Sequence, residues 1–318
     1  VNIVSWFSLP RGTKVNSLLQ PLGIGSVLVL VLWYFAWGQT KLKEHKGKIF
    51  QAIFLSSFII SVISVVLFVL PDSMANNALV ANLNRLGLAN SFIRLELLIL
   101  TGVLLASVII KELKEKETLK RWWLGVGAVF VLVGLGVNSY QLVQGQPRFL
   151  DWYSSWATAV EAFKRQPLRG VGPGNYTVAF NMYRPRQFNQ TDFWAVRFGS
   201  AHSWLLTVWT ELGILGLAAV GIMAYLSIKA AREQEDKRLL WLLSAIWLML
   251  ALFPGNLILL FLLFLSLALV RNKVKERSFT LSVGENNQNV APMIVSVLLL
   301  AFGIGSGYFL YKGLKGEY

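Results

Sequence analysis

Residues 238–270 read RLLWLLSAIWLMLALFPGNLILLFLLFLSLALV, and nothing after Arg238 in this stretch carries a charge. As one helix at about 1.5 Å per residue it would be roughly 50 Å long, well beyond the ~30 Å hydrocarbon core of a bilayer. Phe253-Pro254-Gly255-Asn256 stands at its middle, and Pro followed by Gly favours a turn. The stretch therefore reads as two short helices, and this split sets the sidedness of every other segment.

The rest of the chain has the same character. Apolar residues make up 55% and charged residues 14% of the 318, against roughly 25% charge in soluble domains, and the mean hydropathy is +0.56. Such a chain cannot cover its surface in water, so cytosolic enzymes and nucleic-acid binders are excluded. It contains no Cys, and its two His, His45 and His202, are too few for a His-cluster metal site. Apolar segments long enough to cross a bilayer run near 18–38, 49–70, 91–110, 122–143, 203–228 and 291–311. With the hairpin they predict an all-α, polytopic transmembrane bundle of about eight spans, one transmembrane domain over 1–318. Arg11 and Lys14 precede a run too long for a signal peptide and lacking a small-residue cleavage site. The absence of an initiator Met before Val1 and the abrupt stop at Tyr318 read as a trimmed fragment.

Basic loops mark the cytoplasmic side. Lys41, Lys43, Lys46 and Lys48, then Lys111, Lys114, Lys116, Lys120 and Arg121, then Lys229, Arg232, Lys237 and Arg238, and finally Arg271, Lys273, Lys275 and Arg277 all fall on one face if the hairpin is split. The long polar segment 144–201 and both chain ends then lie outside. That outer segment is itself basic, with Arg148, Lys164, Arg165, Arg169, Arg184, Arg186 and Arg197 against Asp151, Glu161 and Asp192. Arginine's planar fork suits bidentate phosphate contacts, which points to a phosphate-bearing ligand; contact with lipid head groups is the plainer alternative.

Within this segment Phe149, Tyr153, Trp156, Val160 and Phe163 recur at helical spacing, with Asp151 at the start and Lys164 and Arg165 at the end. They predict an interfacial helix ended by Pro167, or one packed on the protein's own rim. Gly170, Gly172 and Gly174 follow, in a turn that could aim backbone N–H groups at an anion or could simply be a turn. His202 stands at the mouth of the next span, where the positive helix end and nearby Arg197 favour a neutral ring able to accept a proton, although a His at a helix start is often structural. On that helix Trp209 and Gly213 fall on the His202 face, Gly213 and Gly216 permit a close helix neighbour, and Glu211 lies on the opposite face, a buried carboxylate in need of a partner. Arg94 either pairs with Glu96 or points into an outer cavity.

These residues stand in a recognisable order: Arg148 before a Trp-containing amphipathic stretch, Gln166-Pro167-Leu168-Arg169-Gly170-Val171-Gly172-Pro173-Gly174-Asn175-Tyr176, Ala201-His202-Ser203-Trp204-Leu205-Leu206, and Glu211-Leu212-Gly213-Ile214-Leu215-Gly216. Over about 145–225 the chain resembles the O-antigen ligase and Wzy-type polymerase family of bacterial envelope glycan enzymes, which act in lipopolysaccharide and cell-envelope polysaccharide biosynthesis. The resemblance implies a multi-pass protein of the bacterial inner membrane whose loop 144–201 is catalytic and extracytoplasmic. It implies transfer of a glycan from a polyprenyl-pyrophosphate carrier to an acceptor hydroxyl on a glycan, a lipid or a protein, without a metal or other cofactor. The family's His carries to His202 and its loop arginine to Arg148, with Arg197 a looser match; the Asn that often follows the His is Ser203 here.

The residue chemistry agrees with a metal-free route. The outer acids, Asp72, Asp151, Glu161, Asp192 and Glu317, are scattered with no Asp-x-Asp pair, whereas magnesium-assisted pyrophosphate departure wants clustered carboxylates. The expectation is that His202 deprotonates the acceptor while Arg148 and Arg197, with Arg94, Arg169, Arg184 or Arg186, hold the pyrophosphate near the turn of Gly170, Gly172 and Gly174. Glu211, Gly213 and Gly216 are expected to be structural. The rival readings are a protein O-oligosaccharyltransferase of the same family and a non-enzymatic transporter or flippase with a basic vestibule. The transporter would distribute ionisable residues along several spans, whereas here they concentrate in one loop and one helix mouth.

Overall fold

A computed structural model describes residues 23–39, 42–69, 91–115, 121–145 and 149–270. Among them the chain is all-helical: α1 (Ile24–Gln39), α2 (Lys46–Val69), α3 (Ser91–Glu115), α4 (Arg121–Gly145), α5 (Trp152–Arg165), α6 (Tyr176–Tyr183), α7 (Trp204–Arg232), α8 (Arg238–Leu252) and α9 (Leu257–Val270), with 3-10 turns at Leu42–His45 and Arg186–Gln190. Four of these helices, α2, α3, α4 and α7, are long and apolar enough to cross a membrane. The expected span 291–311, the basic stretch 271–277 and Arg148 lie outside the described residues.

The split of 238–270 is real: α8 ends at Leu252 and α9 begins at Leu257. Neither half reaches the ~30 Å of a full crossing, since 15 and 14 residues make only about 22 Å at about 1.5 Å each. The hairpin is nonetheless the centre of the largest apolar core, where Leu239, Leu242, Leu243 and Ile246 of α8 meet Leu259, Leu260 and Leu263 of α9. On the other side α2, α3 and α4 pack together. They are joined by polar contacts that apolar packing alone would not specify: Ser57 with Thr101, Ser61 Oγ donating to the Phe130 carbonyl at 2.6 Å, and Asn138 Nδ2 donating to Ser64 Oγ at 2.9 Å.

The two ends of the bundle differ in chemistry. At one, Lys46 (3.0 Å) and Arg238 (2.8 Å) both meet Asp236, and Arg238 lies over the Phe50 ring. Burial raises the Asp236 carboxyl, but hydrogen bonds from Arg238 and the Lys46 ammonium outweigh it and hold the group below the ordinary carboxylate range. At the other end the hairpin apex meets the long loop. The Trp204 N–H donates to the Phe253 carbonyl at 2.9 Å, and Phe92 packs edge-on against both Phe149 and Phe253. Asn256 donates to Glu96 there.

Candidate functional site

Residues 149–202 form a small folded unit with its own core of Leu150, Ala159, Tyr176, Phe180, Phe188 and Phe198. Asp151 starts α5 by accepting the Ser154 N–H at 2.7 Å, the usual work of an N-cap carboxylate. The helix buries Ser154, Ser155, Thr158, Ala159 and Ala162, so its small and hydroxyl-bearing stripe faces the protein. Trp152, Tyr153 and Trp156 stay about half exposed, the disposition expected of a helix in a head-group layer. Tyr176 is fully buried, and burial pushes its phenol well above the ordinary range, so it stays protonated.

The glycine turn is bound into α7. Gly213 breaks that helix with φ 63°, a left-handed value that suits a residue without Cβ. The freed carbonyls of Thr210 and Glu211 accept from Val171 N (3.0 Å) and Gly172 N (2.8 Å), and Ile214 N donates to the Pro167 carbonyl at 2.9 Å. Three bonds from the loop thus replace helical bonds lost at the break, as a broken helix within apolar surroundings requires. The fit leaves no room for side chains: a Cβ on Gly170 would lie 2.5 Å from the Thr210 carbonyl oxygen, and one on Gly213 would lie 2.6 Å from that of Pro167.

The Glu211 carboxylate completes the junction. It accepts from Gly174 N at 2.8 Å and from Tyr176 N at 3.0 Å, the latter at the first turn of α6. This corrects the expectation that Gly170, Gly172 and Gly174 hold a phosphate. Their N–H groups donate to Gln166, Glu211 and the Glu211 side chain respectively, so the acceptor in the cradle is the protein's own carboxyl group. The close neighbour expected at Gly213 is likewise the loop 167–169, not a helix, and the nearest atoms to a Cβ on Gly216 belong to the Leu212 side chain of the same helix.

His202 sits one residue before the Ser203 cap of α7 and is oriented chiefly by residues 149–155, not by the helix it precedes. Its Nδ1 lies 2.7 Å from the Leu150 carbonyl, its backbone N–H donates to Ser155 Oγ at 2.9 Å, and Trp152 packs against its ring at 4.6 Å. A carbonyl can only accept, so Nδ1 carries a proton, and in the neutral ring Nε2 is the nitrogen with a lone pair. Trp209 does not share the His202 environment but packs with Trp156 and Phe163.

The predicted arginines separate into distinct settings. Arg94 is buried, donating to Asn138 Oδ1 at 2.8 Å and Gln141 Oε1 at 2.6 Å between α3 and α4. It forms no ion pair with Glu96, which turns instead to Asn256. Arg184 donates to the Trp194 carbonyl at 2.9 Å and lies over the Phe180 and Phe188 rings. Arg169, Arg186 and Arg197 are exposed. Arg186 and Arg197 stand within two residues of Phe188 and Phe198 in the chain, and those two rings line an open cleft of about 400 Å3. Phe149 and Leu150, which hold His202 from one side, line the same cleft with Asp151, Asp192 and Phe193. Sequence reasoning missed this cleft because its walls come from both ends of the loop.

No family model, curated protein or solved structure matches this chain.

Proposed function

We propose that this protein is a polytopic protein of a bacterial inner membrane with loop 144–201 on the extracytoplasmic side, and that it transfers a glycan from a polyprenyl-pyrophosphate carrier to an acceptor hydroxyl. The observation that carries this reading is the setting of His202: Nδ1 is tied to the Leu150 carbonyl, which leaves Nε2 as the proton acceptor. A second support is the meeting of the hairpin apex and loop at the end of the bundle opposite Lys46, Asp236 and Arg238.

In the reaction, Nε2 takes the acceptor's hydroxyl proton as the oxygen attacks the anomeric carbon. The bond from that carbon to the pyrophosphate breaks on the opposite face, so the configuration inverts. Arg197 and Arg186 are exposed on the same loop and, with Arg148, neutralise the leaving pyrophosphate electrostatically. Gly170, Gly172 and Gly174 have no part in that binding, because their N–H groups serve internal acceptors, while Arg94 is braced by Asn138 and Gln141 between α3 and α4. His202→Ala is expected to lower transfer from a lipid-linked donor in membranes by about 100- to 10,000-fold, the typical worth of a general base, at matched expression and unchanged melting temperature. Near-normal transfer by that variant would refute the assignment.

A further inference from the structure

The cleft beside His202 carries chemistry opposite to the loop around it. The loop is basic, yet the two charged residues lining the cleft are Asp151 and Asp192. Neither takes part in an ion pair among the described residues. Only Oδ2 of Asp151 is engaged, as the cap of α5, so its other oxygen and both of Asp192 remain to accept. The Thr191 hydroxyl donates to the Phe188 carbonyl at 2.8 Å and therefore also presents lone pairs. Around these acceptors stand the rings of Phe149, Phe188, Phe193 and Phe198. The volume, about 400 Å3, is in the range of small-ligand pockets, roughly 300–1,000 Å3.

A ligand suited to this lining is rich in hydroxyl donors, has a C–H-bearing face that can lie on the electron-rich face of an aromatic ring, and carries no negative charge. We infer that the cleft holds an uncharged or amine-bearing sugar unit of the acceptor, with Asp151 and Asp192 accepting its hydroxyl or ammonium protons. The inference rests on the proposed transfer reaction and narrows it: the acceptor is a saccharide and not a protein side chain, and the unit next to His202 is not a uronic acid. Arginines outside the lining serve the phosphates of the donor while carboxylates inside it serve the sugar, so two ligands of opposite demand are sorted by charge within one loop.

The test uses the full chain in lipid nanodiscs and saturation-transfer NMR with three free tetrasaccharides of equal length: a neutral hexose, a hexosamine and a hexuronate. The first two are expected to bind saturably and the hexuronate at least about tenfold more weakly, because like charges facing one another across a contact are disfavoured. Asp151→Asn together with Asp192→Asn should abolish that discrimination and weaken the hexosamine about tenfold; Asn caps helices as well as Asp, so α5 persists and an unchanged melt verifies it. Phe193→Ala should weaken all three. Hexuronate binding equal to hexose in the unaltered chain, no saccharide binding at all, or a pattern unmoved by the double substitution overturns the inference. Binding is read without turnover, so its failure leaves the transfer reaction standing, whereas transfer by His202→Ala would sink that reaction and leave the cleft result intact.

Discussion

The loop between α4 and α7 is built in two ways at its two contacts with α7. At the Gly170–Glu211 junction the turn's backbone donors close on internal acceptors, Gly170, Gly172, Gly174 and Gly213 all have positive φ, and a Cβ added at Gly170 or Gly213 would strike backbone. At His202 one ring nitrogen is tied down and the other is left with its lone pair, and an open cleft shares the wall formed by Phe149 and Leu150. The closed junction fixes where the loop stands; the open one keeps polar groups unpaired, which is costly for stability and necessary for binding and proton transfer. Similar residue types, glycines and a charged side chain at a helix break, can thus make a scaffold that only looks like an anion site.

The largest effect on stability should come from breaking the closed junction. Gly170→Ala or Gly213→Ala forces a side chain into a left-handed conformation costing about 1–3 kcal/mol, and the Cβ contact with backbone adds to this. Either variant is expected to melt far below the parent in detergent, and to lose activity with the fold. Next comes Glu211→Ala, which strands the N–H groups of Gly174 and Tyr176 at about 1–3 kcal/mol for each buried unsatisfied group. It should expose Arg165 and Arg169 to faster tryptic cleavage, while Glu211→Gln keeps one acceptor and falls between.

At the open end Asp151→Ala should cost only about 1 kcal/mol through the lost cap. It should nevertheless slow transfer, because Leu150, Trp152 and Ser155 hold His202; Asp151→Asn should restore the melting temperature. The smallest effect belongs to the far end of the bundle. Asp236 has a depressed folded value, so its contribution is complete above the unfolded value near about 3.9 and is lost as pH falls through the lower folded one. Asp236→Asn should lower stability at neutral pH by under about 1 kcal/mol, and the gap to the parent should close as the pH is taken toward 2, leaving transfer unchanged.

Much of this was legible in the chain. The apolar runs predicted α2, α3, α4 and α7 to within a few residues, and Pro254-Gly255 marked the interruption between α8 and α9. The period of Tyr153, Trp156, Val160 and Phe163 announced α5, and Pro167 its end. The error at the glycine turn was one of partner: a constellation of N–H donors reads the same whether a phosphate or a carboxylate from another segment fills it. The helical wheel that joined His202 to Gly213 failed because His202 stands before the cap of α7 and the helix breaks at Gly213. Asn138 and Ser64 gave no signal at all, since an isolated amide and hydroxyl in apolar runs reveal nothing about each other.

By itself the sequence determined which segments are helical, because apolar periodicity, Pro and Gly act within a turn or two of the chain, and which residues could accept a proton or hold a charge. Tertiary structure decided how those groups are used. Glu211 reaches Gly174 across 37 residues and His202 reaches Leu150 across 52, distances over which no periodicity persists. Only the folded chain could therefore assign one set of donors to an internal carboxylate and leave Nε2 of His202 with its lone pair.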